Sequence, residues 1–156
     1  MSAAQQCLAL LVFLAATLLA AVIGGAATGG SVREWYPTLA KPPWTPPAWV
    51  FGPVWAVLYA LMATAAWLAW RKAPRSAAIV WFGIQLALNG AWSPLFFGCR
   101  NIALALLDVV ALWVAAGITM RKFWKVSVAA GALFAPYWAW VTFAVVLNFA
   151  IWRMNP

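Results

Sequence analysis

Histidine is absent from this chain of 156 residues, and the only acidic side chains are Glu34 and Asp108. Without imidazole the sequence lacks the ligands of ordinary zinc, di-iron and His-ligated haem sites, so we predict no metal centre. A Ser-His-Asp or Cys-His nucleophile is excluded for the same reason, and we predict no catalytic residue. The two cysteines, Cys7 and Cys99, lie in or at the end of separate apolar segments and are expected to be buried, unpaired thiols.

Apolar runs make up most of the chain, which is 67% hydrophobic and 8% charged. A hydrocarbon core about 30 Å thick needs about 20 apolar residues of helix to cross it. Five runs are long enough, at approximately residues 6–28, 49–70, 77–98, 102–120 and 126–151. The sequence therefore predicts an all-α integral membrane protein, a single domain over residues 1–156 that forms a five-transmembrane-helix bundle. Residues 1–5 carry no Lys or Arg, so the first run is predicted to be a span and not a cleaved signal peptide.

The net charge of +8 lies in the short gaps between spans. Anionic lipid headgroups are the natural partners of such cations, and no nucleic acid is expected, because no basic stripe lies on a water-facing element. The side of the N-terminus has six cations (Arg71, Lys72, Arg75, Arg121, Lys122, Lys125), and the opposite side has four (Arg33, Lys41, Arg100, Arg153). This bias predicts a cytoplasmic N-terminus. Residues 71–76 and 121–125 are predicted to be tight cationic turns.

The first linker, residues 29–48, carries five prolines and several aromatic residues. Because proline fixes φ and removes a backbone donor, we expect no helix here and a partly polyproline II conformation. Trp35 and Trp44 fit an interfacial aromatic belt, and they also fit a semi-rigid lid over one end of the bundle. The two interpretations are compatible.

Polar and aromatic side chains recur at helical spacing inside three spans: Trp55 with Tyr59; Gln85 with Asn89 and Trp92; and Trp140 with Ala144 and Asn148. The amides are expected either to bond across helices or to anchor a ligand in an aromatic cavity. Asp108 is the only carboxylate within a span, and we expect it to be structural, bonded to another helix or to Arg100.

Small residues recur at four-residue spacing in the first and third spans, as Gly25 with Gly29 and as Gly83, Ala87 and Ala91. Such faces let helix backbones approach closely inside lipid. They pack either within the bundle or between two copies, and we predict a homodimer through the third span.

Three long blocks resemble the signatures of a known family. WYPTLAKPPWTPPAWVFGPVWAVLY (35–59), QLALNGAWSPLFFG (85–98) and PYWAWVTFAVVLNFAIWR (136–153) are similar, in that order, to those of the translocator protein family. This family is also called the tryptophan-rich sensory protein, peripheral-type benzodiazepine receptor or TspO/MBR family. The resemblance implies a five-helix bundle, often dimeric, that binds porphyrins, cholesterol-like lipids and benzodiazepine-type ligands beneath the first linker.

By its motifs, the resemblance implies seven ligand-binding residues: Trp55, Tyr59, Asn89, Trp92, Trp140, Ala144 and Asn148. The sterol-recognition segment departs from the family pattern. It reads Val146, Phe149, Arg153, with phenylalanine in place of the usual tyrosine.

The leading hypothesis is a tetrapyrrole-binding membrane protein that acts in transport or sensing, with porphyrin or haem as ligand and not as cofactor. Sterol-like lipids are a further ligand class. One alternative is a light-dependent porphyrin-degrading enzyme in which Trp55 and Trp140 are oxidised. Another is a regulatory membrane component that acts through a protein partner. The lack of a matrix-targeting stretch favours a bacterial member in the inner membrane.

Overall fold

A computed structural model describes residues 2–156, in which long helices account for almost all of the ordered structure and no strand is found. The helices are α1 (Ala3–Thr28), α2 (Ser31–Glu34), α3 (Ala48–Lys72), α4 (Ala77–Ser93), α5 (Ile102–Val126) and α6 (Val128–Met154). A 3-10 turn, Tyr36–Thr38, follows α2, and a π turn, Pro94–Gly98, extends α4. All except α2 are long and apolar enough to span a bilayer. The predicted all-α, five-span membrane fold is confirmed.

The five long helices form a closed ring. Helix α1 packs against α3 and α4, α3 packs against α6, and α5 joins α6 to α4. The ring has two ends. The linker end carries the first linker, the α4–α5 connection and the C-terminus. The turn end carries the N-terminus and the short connections after Lys72 and Val126.

Helix α5 is longer than predicted. Residues 121–125, expected as a turn, are its last helical residues, and the connection to α6 is Ser127 alone. The Ser127 N–H donates to Phe123 O at 2.7 Å, and Ser127 O accepts from Gly131 N–H at 3.1 Å, so one residue ends one helix and begins the next. The cations within residues 121–125 were expected at the edge of the membrane, and the helix continues through them. Lys and Arg are good helix formers whose long stems reach water from within a helix.

The prediction that the first linker contains no helix is wrong for its first half. Helix α2 and the 3-10 turn lie before most of the prolines, and Pro37 occupies the first turn of the 3-10 segment. A proline is tolerated in a first turn, because its missing N–H would have no partner there. Residues 39–47, where the other four prolines lie, contain no helix, as expected.

One prediction about small residues needs correction. Cys7 and Cys99 are unpaired, as predicted, but both are exposed and not buried. A Cβ added to Gly25 would meet nothing within 4 Å, so of the two alternatives for Gly25 and Gly29, close packing within the bundle is not found. The close approach of α1 to α4 is made by the preceding residue, Gly24. A Cβ on Gly24 would come within 3.3 Å of Ser93 Oγ.

Candidate ligand-binding cavity

A cavity of about 920 Å³ lies between all five spanning helices at the linker end. All seven side chains predicted to bind a ligand line it: Trp55 and Tyr59 from α3, Asn89 and Trp92 from α4, and Trp140, Ala144 and Asn148 from α6. The structure thus brings together residues that are up to 93 positions apart in the chain, from Trp55 to Asn148. Their role in binding stays a prediction.

Indole rings from three different helices form much of the cavity wall. Trp92 stacks on Phe96 with ring centroids 5.0 Å apart, and Trp55 lies against Tyr59 at 5.3 Å. Trp140 packs between Phe51 and Phe143, at 5.9 and 5.4 Å. Trp92 Nε1 donates to Asn148 Oδ1 at 3.1 Å. Among residues 2–156, no acceptor lies within bonding distance of the indole N–H of Trp55 or Trp140, which leaves two donors open to a guest.

A chain of hydrogen bonds forms the inner floor of the cavity. Tyr59 Oη donates to Asn89 Oδ1 at 2.7 Å, and Asn89 Nδ2 donates to Tyr137 Oη at 3.0 Å. Tyr137 Oη in turn donates to Gln85 Oε1 at 2.8 Å. The chain crosses α3, α4 and α6, so these amides do bond across helices, as one of the two interpretations required.

Asn148 makes a second cross-link near the linker end. Its Oδ1 accepts from Trp92, and its Nδ2 donates to Ile102 O, the first residue of α5, at 3.1 Å. A carboxamide has two N–H groups and two acceptor lone pairs, so Asn89 and Asn148 each keep one donor and one acceptor site. The same amides can therefore hold the bundle together and still face a ligand.

Sequence comparison agrees with this geometry. The sequence model of the TspO/MBR family matches residues 12–153. The chain belongs to the TspO/MBR family. It is 39% identical over 156 residues to the tryptophan-rich protein TspO of Chlorobaculum tepidum, which covers 97% of this chain and 99% of that protein. It is 40% identical to the human translocator protein over 148 residues, 92% of this chain and 88% of that protein.

A third relative is the tryptophan-rich sensory protein of Cereibacter sphaeroides, 41% identical over 141 residues, with 89% of each chain covered. The names of these TspO/MBR relatives fit a regulatory or transport role. The family and the five apolar helices together make this chain an integral, multi-pass membrane protein.

In this TspO/MBR chain the linker covers the cavity with residues that were not singled out from the sequence. Val32, Arg33 and Tyr36 line the cavity, whereas Trp35 and Trp44 do not. Those two tryptophans pack behind the wall, Trp35 on Phe96 at 5.6 Å and Trp44 on Phe143 at 5.9 Å. Trp35 and Trp44 were singled out from the sequence because they are tryptophans. The signal that could have identified the lining residues instead is the four-residue spacing of Val32 and Tyr36.

The linker is tied to the bundle through Ser31 and Asn155, and Lys41 makes two further hydrogen bonds within the linker. Ser31 Oγ donates to Phe97 O at 2.7 Å, at the π turn that extends α4. Asn155 exchanges two hydrogen bonds with the backbone of Ala40, at 3.0 and 2.9 Å. Lys41 Nζ donates to Tyr36 O at 2.7 Å and to Leu39 O at 2.9 Å. Burial raises the pKa of the Tyr36 phenol, so its hydroxyl at the cavity edge stays neutral.

The expected partner of Asp108 is not found. Among residues 2–156, Asp108 Oδ2 is buried without a hydrogen-bond partner, and no ion pair with Arg100 forms. Arg100 is exposed, with φ 51°, before α5 begins. Asp108 lies six residues into α5, about 9 Å further along the axis, so the two side chains do not meet.

The remaining predicted residues lie outside this cavity. Val146, Phe149 and Arg153 share the exposed face of α6. Gly83 and Ala87 are exposed and Ala91 is half-buried, along a shallow groove between α1 and α4. Two further tryptophans outside the cavity, Trp113 and Trp138, stack on each other at 5.6 Å between α5 and α6.

Proposed function

We propose that this TspO/MBR protein binds tetrapyrroles, porphyrin or haem, in the linker-end cavity and acts in their transport or sensing. The observation that carries the proposal is the convergence of Trp55, Trp92 and Trp140, from three helices, on one apolar space of about 920 Å³. Small-molecule sites typically have about 300–1,000 Å³, mostly apolar walls and a few polar groups. Indole rings favour flat aromatic guests, on which they stack.

The route into the cavity is consistent with an apolar ligand. Several lining residues on α1 and α3 are exposed, namely Leu18, Gly25, Gly52, Ala56 and Ala60. All except Leu18 are small, which favours entry of a ligand between these two helices. A ligand dissolved in the bilayer can enter there without crossing the packed centre of the bundle.

Titration of the purified protein with protoporphyrin, followed by quenching of tryptophan fluorescence, tests the proposal. Trp55→Ala and Trp140→Ala should each weaken the fitted Kd by about tenfold, because each removes one stacking surface and one open N–H donor. Trp49→Ala is the matched control. Trp49 is 75% exposed and does not line the cavity, so its loss should leave the Kd unchanged. An unaltered Kd in both cavity variants would reject this pocket.

Sterol-like lipids are proposed as a second ligand class, on a different surface. Val146, Phe149 and Arg153 lie at i, i+3 and i+7 on the exposed face of α6. A sterol bound to them would contact lipid and not the cavity. Sterol binding should then survive Trp140→Ala and fall in Phe149→Ala, as measured with a photoreactive sterol.

The proposed assembly is a homodimer in the bacterial inner membrane with the N-terminus in the cytoplasm. The small residues Gly83, Ala87 and Ala91 flank a groove of about 440 Å³ on the outside of α4, where a second copy can approach closely. Ala87→Trp should convert the dimer to a monomer in size-exclusion chromatography with light scattering.

A further inference from the structure

Arg33 is the one charged residue among all those that line the cavity. It belongs to α2, at the linker end, and is exposed at the edge of the cavity. Helix α2 is fixed in place by the bond from Ser31 Oγ to Phe97 O, so the position of Arg33 over the cavity is defined by the fold.

The guanidinium of Arg33 has no partner within residues 2–156. The neighbouring Glu34 forms no ion pair with it, and no hydrogen bond occupies its donors. Lys41 offers the contrast. Its ammonium donates to two linker carbonyls and lies 4.8 Å from the centre of the Tyr36 ring. Of the two cations in the linker, Lys41 bonds to the linker backbone, whereas Arg33 has no partner and lies at the cavity.

The far end of the cavity has the opposite character. Its polar side chains Tyr59 and Asn89 are neutral and already bonded, Tyr59 to Asn89 and Asn89 also to Tyr137. The cavity is therefore polarised along its length, with a neutral aromatic interior and one unpaired cation at the edge. A guest that matches this gradient has a flat apolar body and an anionic group at one end.

We propose that Arg33 binds a carboxylate of the cavity ligand, so that the site selects planar apolar molecules that carry a carboxylate over neutral molecules of the same shape. The inference rests on the proposed function, since it assigns one end of the ligand bound in that cavity. A guanidinium presents paired donors that match the two carboxylate oxygens, which makes arginine the suitable residue for this recognition.

The test compares protoporphyrin IX, which has two propionates, with its neutral dimethyl ester. Binding is measured for the full chain in phosphatidylcholine nanodiscs, so that no anionic headgroup competes. The variants are Arg33→Gln, which keeps the stem and removes the charge, and Arg33→Lys, which restores the charge without the paired donors. Arg100→Gln is the control, because Arg100 is exposed at the same end and the substitution makes the same change in net charge outside the cavity.

Wild-type protein should bind the diacid about fivefold more tightly than the diester. Arg33→Gln should remove that preference by weakening the diacid alone, Arg33→Lys should restore part of it, and Arg100→Gln should retain it. The preference should also shrink with added salt in the wild type only. Equal binding of both porphyrins by the wild type, or an intact preference in Arg33→Gln, would overturn the role of Arg33 and leave the cavity proposal standing. Failure to bind either porphyrin would overturn both.

Discussion

Both ends of the bundle are lined by apolar side chains, but they differ in packing. At the turn end, Phe82, Phe123 and Phe134 are buried with ring centroids 5.3–6.0 Å apart, and Ala65, Ala66 and Ala69 are fully buried around them. At the linker end, the same five helices enclose about 920 Å³ of open space. Hydrophobic composition alone therefore does not determine whether a bundle is filled.

Backbone irregularity distinguishes the helices that carry the cavity tryptophans. Helix α3 contains Pro53, α6 contains Pro136, and Pro94 begins the π turn that extends α4. Helices α1 and α5 contain no proline. A proline removes a backbone hydrogen bond and bends a helix, and a π turn displaces the residues after it. We infer that these three irregular helices diverge toward the linker end, whereas alanine and glycine keep the helices in contact at the turn end.

The largest expected loss of stability is at the turn end, where the side chains are tightly packed. A Cβ on Gly131 would lie 2.6 Å from Trp124 Cε3 and 2.9 Å from Trp124 Cα. Because one clash is with backbone, a side-chain rotation cannot relieve it. Gly131→Ala should cost about 3 kcal/mol and greatly lower the thermal midpoint and yield of the purified protein.

Gly25→Ala is the control for that substitution, because a Cβ there meets nothing within 4 Å. Its midpoint should stay the same or rise slightly, since alanine is the better helix former. Equal losses in the two variants would mean that the connection between α5 and α6 is not as tight as described.

A smaller loss of unfolding free energy is expected at Tyr137, where the two ends of the bundle meet. Its buried hydroxyl donates to Gln85 and accepts from Asn89. Tyr137→Phe removes the donor to Gln85 Oε1 and the acceptor of Asn89 Nδ2, and thermal unfolding should report a loss of about 2 kcal/mol. Tyr59→Phe should cost about half as much, because Tyr59 bonds to Asn89 alone and lies on the open wall. A larger loss in Tyr59→Phe than in Tyr137→Phe would contradict Tyr137 as the centre of this chain.

Sequence alone predicted the features that follow from periodicity. Run length predicted five spans, and helical spacing of three, four or eight residues placed Asn89 with Trp92 and Trp140 with Asn148 on common faces, which the fold brings to one cavity. Helix ends were less predictable, because α5 continues through three cations that mark only the membrane boundary.

Contacts that depend on helix rotation could not be read from spacing. The GxxxG pattern of Gly25 and Gly29 left open a contact within the bundle or between two copies, and within the bundle α1 makes its close contact through Gly24, one residue earlier. Arg33 was counted as one of ten cations, and only the placement of α2 over the cavity distinguishes it from the others. Such contacts depend on how each helix is rotated about its axis relative to its neighbours. A local sequence pattern is compatible with several rotations and does not select one of them.

The smallest expected effect on stability comes from filling the open end. Ala144 lines the cavity beside Trp140, so Ala144→Phe places a ring in existing space and should change the unfolding free energy by less than about 0.5 kcal/mol. The same ring should occupy the volume that a porphyrin needs and weaken its binding more than about tenfold. Ala116→Phe makes the identical change at a fully buried residue of the filled core, where overpacking should cost about 3 kcal/mol. If both substitutions destabilise the protein equally in thermal unfolding, then the linker end is as tightly packed as the turn end, and the contrast between them fails.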